Sequence, residues 1–159
     1  MVMKKSKPGK SRTKNTVQIA ISKKSFEFLE HTSEAKFRAY GTTWDEAFAN
    51  AARALFSIMT KPEKVKPKIT KTVMARTASD DLKGLLYDFL GELIILKDAD
   101  QFFLHDISVA ITDGTLLATC TGDTLEGYEL GSDVKAVTYN DMLVEKAKDG
   151  WVVQVVVDV

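Results

Sequence analysis

The chain is 159 residues long, enough for one hydrophobic core and too short for two comfortable ones. Its 45% apolar and 28% charged residues are an ordinary globular balance, which excludes a fibrous or wholly disordered chain. The 22 Lys and Arg cancel the 22 Asp and Glu, yet residues 1–15 hold Lys4, Lys5, Lys7, Lys10, Arg12 and Lys14 and no acid, leaving 16 bases against 22 acids in the rest. That count excludes a basic nucleic-acid-binding core and leaves room for a basic arm.

The single cysteine, Cys120, excludes an internal disulfide framework and suits a reducing cytosol. With two histidines, His31 and His105, a zinc set of four Cys and His ligands cannot be assembled. Apolar runs such as Leu93–Leu96 and Val155–Val157 fall far short of the ~20 residues of a membrane span. The basic start is followed by no apolar h-region, so a soluble, cytoplasmic chain is expected.

In chain order, residues 1–15 read as a disordered basic arm, either a solvated tail or an RNA-contacting one, and residues 16–159 as one domain. Val17, Ile19 and Ile21, then Phe26 and Phe28, alternate with period two and predict half-buried strands. Phe37, Ala39 and Tyr40 predict a short strand stopping at Gly41. A capping box, Thr43-Trp44-Asp45-Glu46, opens a helix in which Trp44, Phe48, Ala51, Ala52, Leu55, Phe56 and Met59 share one face. Pro62 and Pro67 end it and frame a basic connection. A strand-like stretch around Ile69–Met74 comes next.

A second helix is predicted from Ser79 or Asp80, with Leu82, Leu85, Leu86, Phe89, Leu90, Leu93 and Ile94 as its apolar stripe. Strands follow over Phe102–Thr112, Thr115–Thr121, Val134–Tyr139 and Trp151–Val157, with Asp113-Gly114 and Asp149-Gly150 as tight-turn signals. Two helices among many hairpin-linked strands define an α+β domain, a mixed or antiparallel sheet packed with two main helices.

No phosphate loop, dinucleotide fingerprint, nucleophile elbow or HExxH is present. Cys120, among Leu116, Leu117 and Ala118, reads as an inert core thiol, and His105 as a surface or supporting residue. Three places are less ordinary. Glu30-His31-Thr32-Ser33-Glu34 is a polar cluster between apolar strands, explained either by turn chemistry or by a hard-cation site. Along Lys135-Ala136-Val137-Thr138-Tyr139-Asn140, Lys135, Val137 and Tyr139 share a strand face, as a surface ladder or as part of a pocket. Val155-Val156-Val157-Asp158-Val159 carries an apolar strand to the last residue. If that end is packed, it gathers negative charge that a cation would relieve; if solvent-exposed, it is only a strand end.

Taken in order and at this spacing, these places resemble the archease family, the small proteins that work with the RtcB-type RNA ligase of tRNA splicing and RNA repair. The resemblance covers about residues 26–159 and rests on Phe28-Leu29-Glu30-His31-Thr32-Ser33-Glu34, Tyr40-Gly41 with Asp45-Glu46-Ala47-Phe48, Leu85-Leu86-Tyr87-Asp88-Phe89-Leu90, Lys135-Ala136-Val137-Thr138-Tyr139-Asn140 and Asp158-Val159. It implies a divalent-metal group at Glu34, Asp158 and Val159, with calcium or magnesium as the ion, and a functional lysine at Lys135. It also implies a non-catalytic role: promoting guanylylation and repeated turnover of the ligase, with RNA and guanine nucleotide met through it. Two positions depart from the family pattern, which has Asp where Glu34 stands and His where Asn140 stands. Two other readings are a small metal-dependent phosphoester hydrolase using Glu34, Asp158 and His31, and an RNA-binding or chaperone module acting through the basic arm.

Overall fold

The computed structural model describes residues 24–31 and 33–159. The basic arm, the Val17–Ile21 alternation and Thr32 lie outside the described residues. Along the chain come β1 (Phe26–Leu29), β2 (Ala35–Gly41), α1 (Trp44–Met59), a 3-10 turn (Pro62–Lys64), β3 (Ile69–Arg76), α2 (Leu82–Asp100), β4 (Phe102–Thr112), β5 (Thr115–Thr124), β6 (Ala136–Ala147) and β7 (Gly150–Asp158).

The strands form two sheets, ordered β1-β2-β7-β6 and β3-β5-β4, and each neighbouring pair in them is antiparallel. The α+β class expected from the sequence is the one observed, and of the mixed and antiparallel options the sheets take the antiparallel one. Both helices touch both sheets. Helix α1 meets β2 and β7 of the first sheet and β4 of the second, while α2 meets β6 of the first and β3 of the second. A helix enclosed in this way cannot keep one polar face, so ten of the 16 residues of α1 are buried. Five of them are alanines, which lets the neighbouring strands approach closely.

Helix α1 starts where its capping residues dictate. Thr43 Oγ1 accepts from the Glu46 N–H at 3.2 Å, as predicted, but Glu46 reaches one residue further back and accepts from the Thr42 N–H at 2.6 Å. Helix α2 begins at Leu82 rather than at Ser79 or Asp80, because Asp81 takes the cap and accepts from the Gly84 N–H at 2.9 Å. Its predicted stripe is buried except for Leu82, which is partly so. Phe89 of α2 stacks on Phe48 of α1, with ring centroids 6.4 Å apart, at the centre of one continuous core.

The turns follow from local chemistry. Asp113 and Gly114 both have positive φ (50° and 77°), the pairing that a two-residue type I′ hairpin demands. In the last hairpin the turn falls on Lys148 and Asp149, one residue earlier than the sequence signal placed it, and Gly150 already pairs with Ala147. Gly150 is needed for space: a Cβ there would run into the Gly41 carbonyl oxygen, and one on Gly41 would run into the Ala47 N–H. The two glycines let β7, β2 and the start of α1 meet at one corner.

Strand β6 departs most from expectation. It runs to Ala147, and its register with β7 shifts between Thr138 and Leu143. Residues 139–142 leave the ladder there: Met142 turns into the core, and Asp141 adopts a left-handed φ of 54°.

Two buried acids make the fold sensitive to alkali. Burial pushes the Cys120 thiol up to about 12. Burial, and then the 2.5 Å hydrogen bond that Tyr40 donates to Glu27 Oε2, push the Tyr40 phenol up to about 12. The folded state therefore holds both protons more tightly than the unfolded chain, so the stability they confer is complete below the ordinary values of 9.0 and 10.0 and is lost as pH rises through about 12. Urea midpoints should stay level up to about pH 9 and fall beyond it. Cys120→Ala should shift the onset of that fall from about pH 9 to about pH 10.

Candidate functional site

The register of the first sheet decides which polar residues meet. Strand β7 is central, flanked by β2 and β6, and its last residues end at one edge of all three. Ala35 pairs with Val157, and Asp158 pairs with Ala136. Glu34 comes directly before Ala35 and Lys135 directly before Ala136, so both lie at the strand ends next to Asp158. The Lys135 N–H donates to the Asp158 carbonyl oxygen at 2.8 Å, so the approach to β6 is tied to the end of β7. Residues some 124 positions apart in the chain, Glu34 and Asp158, thus reach one end of three neighbouring strands.

The end of β7 is held firmly. Val152 to Val157 are all buried, so the strand is packed as far as Val157, while Asp158 and Val159 are solvent-exposed at its tip. Glu34 is partly buried, and its Oε1 lies 3.4 Å from His31 Nδ1. Between them Ser33 takes a left-handed φ of 60°, so turn geometry does shape the polar cluster, as one of its two explanations required. Glu30, Lys135 and Asn140 are exposed.

Tyr139 stands at the gap in the pairing of β6 with β7. Val137 points into the core, and the shift in β6 lays the Tyr139 ring on Tyr87 of α2, stacked at 4.2 Å and 7°. Burial, followed by Asp88 and Asp81, holds its phenol above the usual range. His105 sits at the bulge between Leu104 and Asp106, its Nδ1 donating to the Val65 carbonyl oxygen at 2.6 Å, the supporting role expected of it. Cys120 is fully buried, as predicted for a core thiol.

The sequence reading missed the cations beside the carboxylates. Lys36 and Arg38 follow Glu34 with period two and so lie on the outer face of the first sheet with Gln154 and Val156. Lys36 Nζ reaches Asp141 Oδ2 at 3.3 Å, Arg38 Nε donates to Gln154 Oε1 at 2.8 Å, and Gln154 Nε2 donates to the Asp141 carbonyl at 2.7 Å. The buried amide of Gln154 thereby links β2, β7 and the excursion in β6 into one polar network next to the strand ends. The alternation Glu34, Lys36, Arg38 carried this signal, but the strand was started too late, at Phe37.

Among the described residues no three His, Cys, Asp or Glu side chains are grouped so as to hold a metal ion. The sequence-derived set differs from such a group, since it combines two carboxylate side chains, Glu34 and Asp158, with the main-chain oxygens of Val159. Those donors are all oxygen, the type that hard divalent cations take. No helix among the described residues is long and apolar enough to cross a membrane.

A single α+β unit with an acidic strand edge beside a lysine is the class that these observations define. Residues 26–159 match the Archease protein family (MTH1598/TM1083), and the chain belongs to that family. It is 38% identical to protein archease of Methanosarcina mazei over 143 residues, covering 86% of this chain and 97% of that one. Protein archease of Thermococcus kodakarensis is 39% identical over 142 residues, covering 85% and 99%. The solution structure of Methanobacterium thermoautotrophicum protein 1598 superposes with a TM-score of 0.70 at 33% identity, over 85% of this chain and 99% of that one. A crystal structure from Thermotoga maritima, described as an archease and possible chaperone, shares the fold at a TM-score of 0.58 and 18% identity.

Proposed function

We propose that this protein is a non-catalytic activator of an RtcB-type RNA ligase, promoting guanylylation and repeated turnover of the ligase in tRNA splicing or RNA repair. What supports the reading is that the residues before β2 and β6, Glu34 and Lys135, adjoin the Asp158 end of β7 in a chain of the archease family.

Two carboxylates at adjoining strand ends repel, and a divalent cation relieves them. Glu34, Asp158 and the main-chain oxygens of Val159 would hold such an ion. When bound, it supplies concentrated positive charge for phosphate oxygens. Glu34 is one methylene longer than the family's Asp, moving its oxygens by up to ~1.5 Å. Calcium, with its flexible coordination, tolerates that shift better than magnesium, which demands an octahedron. Lys135 adds a point charge beside the carboxylates, suited to orienting a nucleotide phosphate presented by the ligase. Lys36 and Arg38, fixed by Asp141 and Gln154, hold the strand ends in register behind them.

The test is multiple-turnover RNA joining by an RtcB-type ligase present well below its substrate. Added protein should raise the number of turnovers, and Lys135→Ala should lose most of that gain while folding normally. Equal turnover with and without the protein would refute the reading.

A further inference from the structure

Lys97 is a charged side chain that the fold has taken out of water. It stands in the last turn of α2 and is 6% exposed, the most deeply buried charged residue among those described. Its Nζ donates to Asp133 Oδ1 at 2.6 Å and to the Val134 carbonyl oxygen at 3.3 Å, and it pairs with Asp98 Oδ1 at 2.6 Å. Desolvation works against its charge, but the hydrogen bonds it donates to Asp133 and Asp98 outweigh it and hold the ammonium above the ordinary lysine range.

What Lys97 grips is the segment leading to Lys135. Residues 125–135 form no strand or helix. Further back the segment is pinned to the end of α1, where the Gly131 N–H donates to Met59 and the Ser132 N–H to Ile58. Ahead, Val134 is fully buried and the Lys135 N–H is bound to Asp158. The geometry points to Lys97 and Asp133 as a positioning clamp that sets Lys135 against the Asp158 end of β7.

Stability alone gives little reason for this lysine. A buried ion pair is weak evidence of stabilisation, and an apolar side chain of similar volume is often as good or better. The carboxylates of Asp133 and Asp98 are more than half exposed, so removing Lys97 strands no buried charge. Lys97→Met keeps the length of the side chain and extends the apolar stripe of Leu93 and Ile94.

The inference rests on the proposed activator role, and two readouts separate its failure from the failure of that role. The variants are Lys97→Met and Asp133→Asn, which break the clamp from opposite sides. In the protein alone, both should speed amide hydrogen exchange at Lys135 at least severalfold, leave the amides of Val153–Val155 unchanged, and leave Tm unchanged or higher. In the ligase assay, both should reduce stimulation severalfold at saturating protein. Lys97→Arg, which keeps the charge and the donors, should restore most of it. Unchanged exchange at Lys135, or loss of stimulation in Lys97→Met but not in Asp133→Asn, would overturn the clamp. A wild-type protein that stimulates no ligase would instead overturn the role on which it rests.

Discussion

Phe89→Ala should cost about 3–5 kcal/mol of folding stability, as expected for emptying a fully buried aromatic site. Phe89 is 0% exposed and stacks on Phe48, so its ring is a direct contact between the two helices, each of which also bridges both sheets. Domains of this size have roughly 5–15 kcal/mol in all, so the variant should lose a third or more of its stability and melt many degrees lower. Ile95→Ala, nearly two turns on but 58% exposed, should change stability by no more than about 0.5 kcal/mol. Urea denaturation of the pair checks the claim. Similar midpoints for both variants would mean that the core is not organised around the helix contact.

The second large effect concerns the acidic edge. Glu34→Ala or Asp158→Ala should each weaken calcium binding roughly tenfold or more, since loss even of supporting groups around a metal costs 10–100-fold. Asp158 lies beyond the packed part of β7 and Glu34 just before β2, both outside the buried core, so neither change should disturb the fold. The readout is the rise in Tm on adding calcium: a ligand at 100 times its dissociation constant stabilises by about 2.7 kcal/mol. The native chain should show that rise and both variants should lack most of it. Glu34→Asp, one methylene shorter, should bind magnesium more tightly than the native chain.

Much of the fold was legible because local and global preferences agree. The capping box at Thr43, the stripe from Leu85 to Ile94 and the Asp113-Gly114 turn each specify their element without help from distant residues. Where tertiary structure overrode the local signal, the reading slipped. Asp81 rather than Ser79 or Asp80 caps α2, and β6 continues past Tyr139 only by shifting register, which no pattern in Tyr139-Asn140-Asp141 announces.

The site was legible in a different way. Glu34, Asp158 and Val159 were grouped, with Lys135, only through the family resemblance, because the order that puts β2 and β6 beside β7 is long-range and a linear pattern does not carry it. Lys97 was not singled out at all: it continues the Leu93–Ile94 stripe at helical spacing, but nothing in the stripe marks a lysine there as buried.

The most direct test is the time course of guanylylation of an RtcB-type ligase, followed with the native protein, with Asp158→Ala and with none. The account predicts faster guanylylation with the native chain and a rate near the unassisted one with Asp158→Ala. If Asp158→Ala accelerates the ligase as well as the native chain does, the acidic edge is not the means of activation.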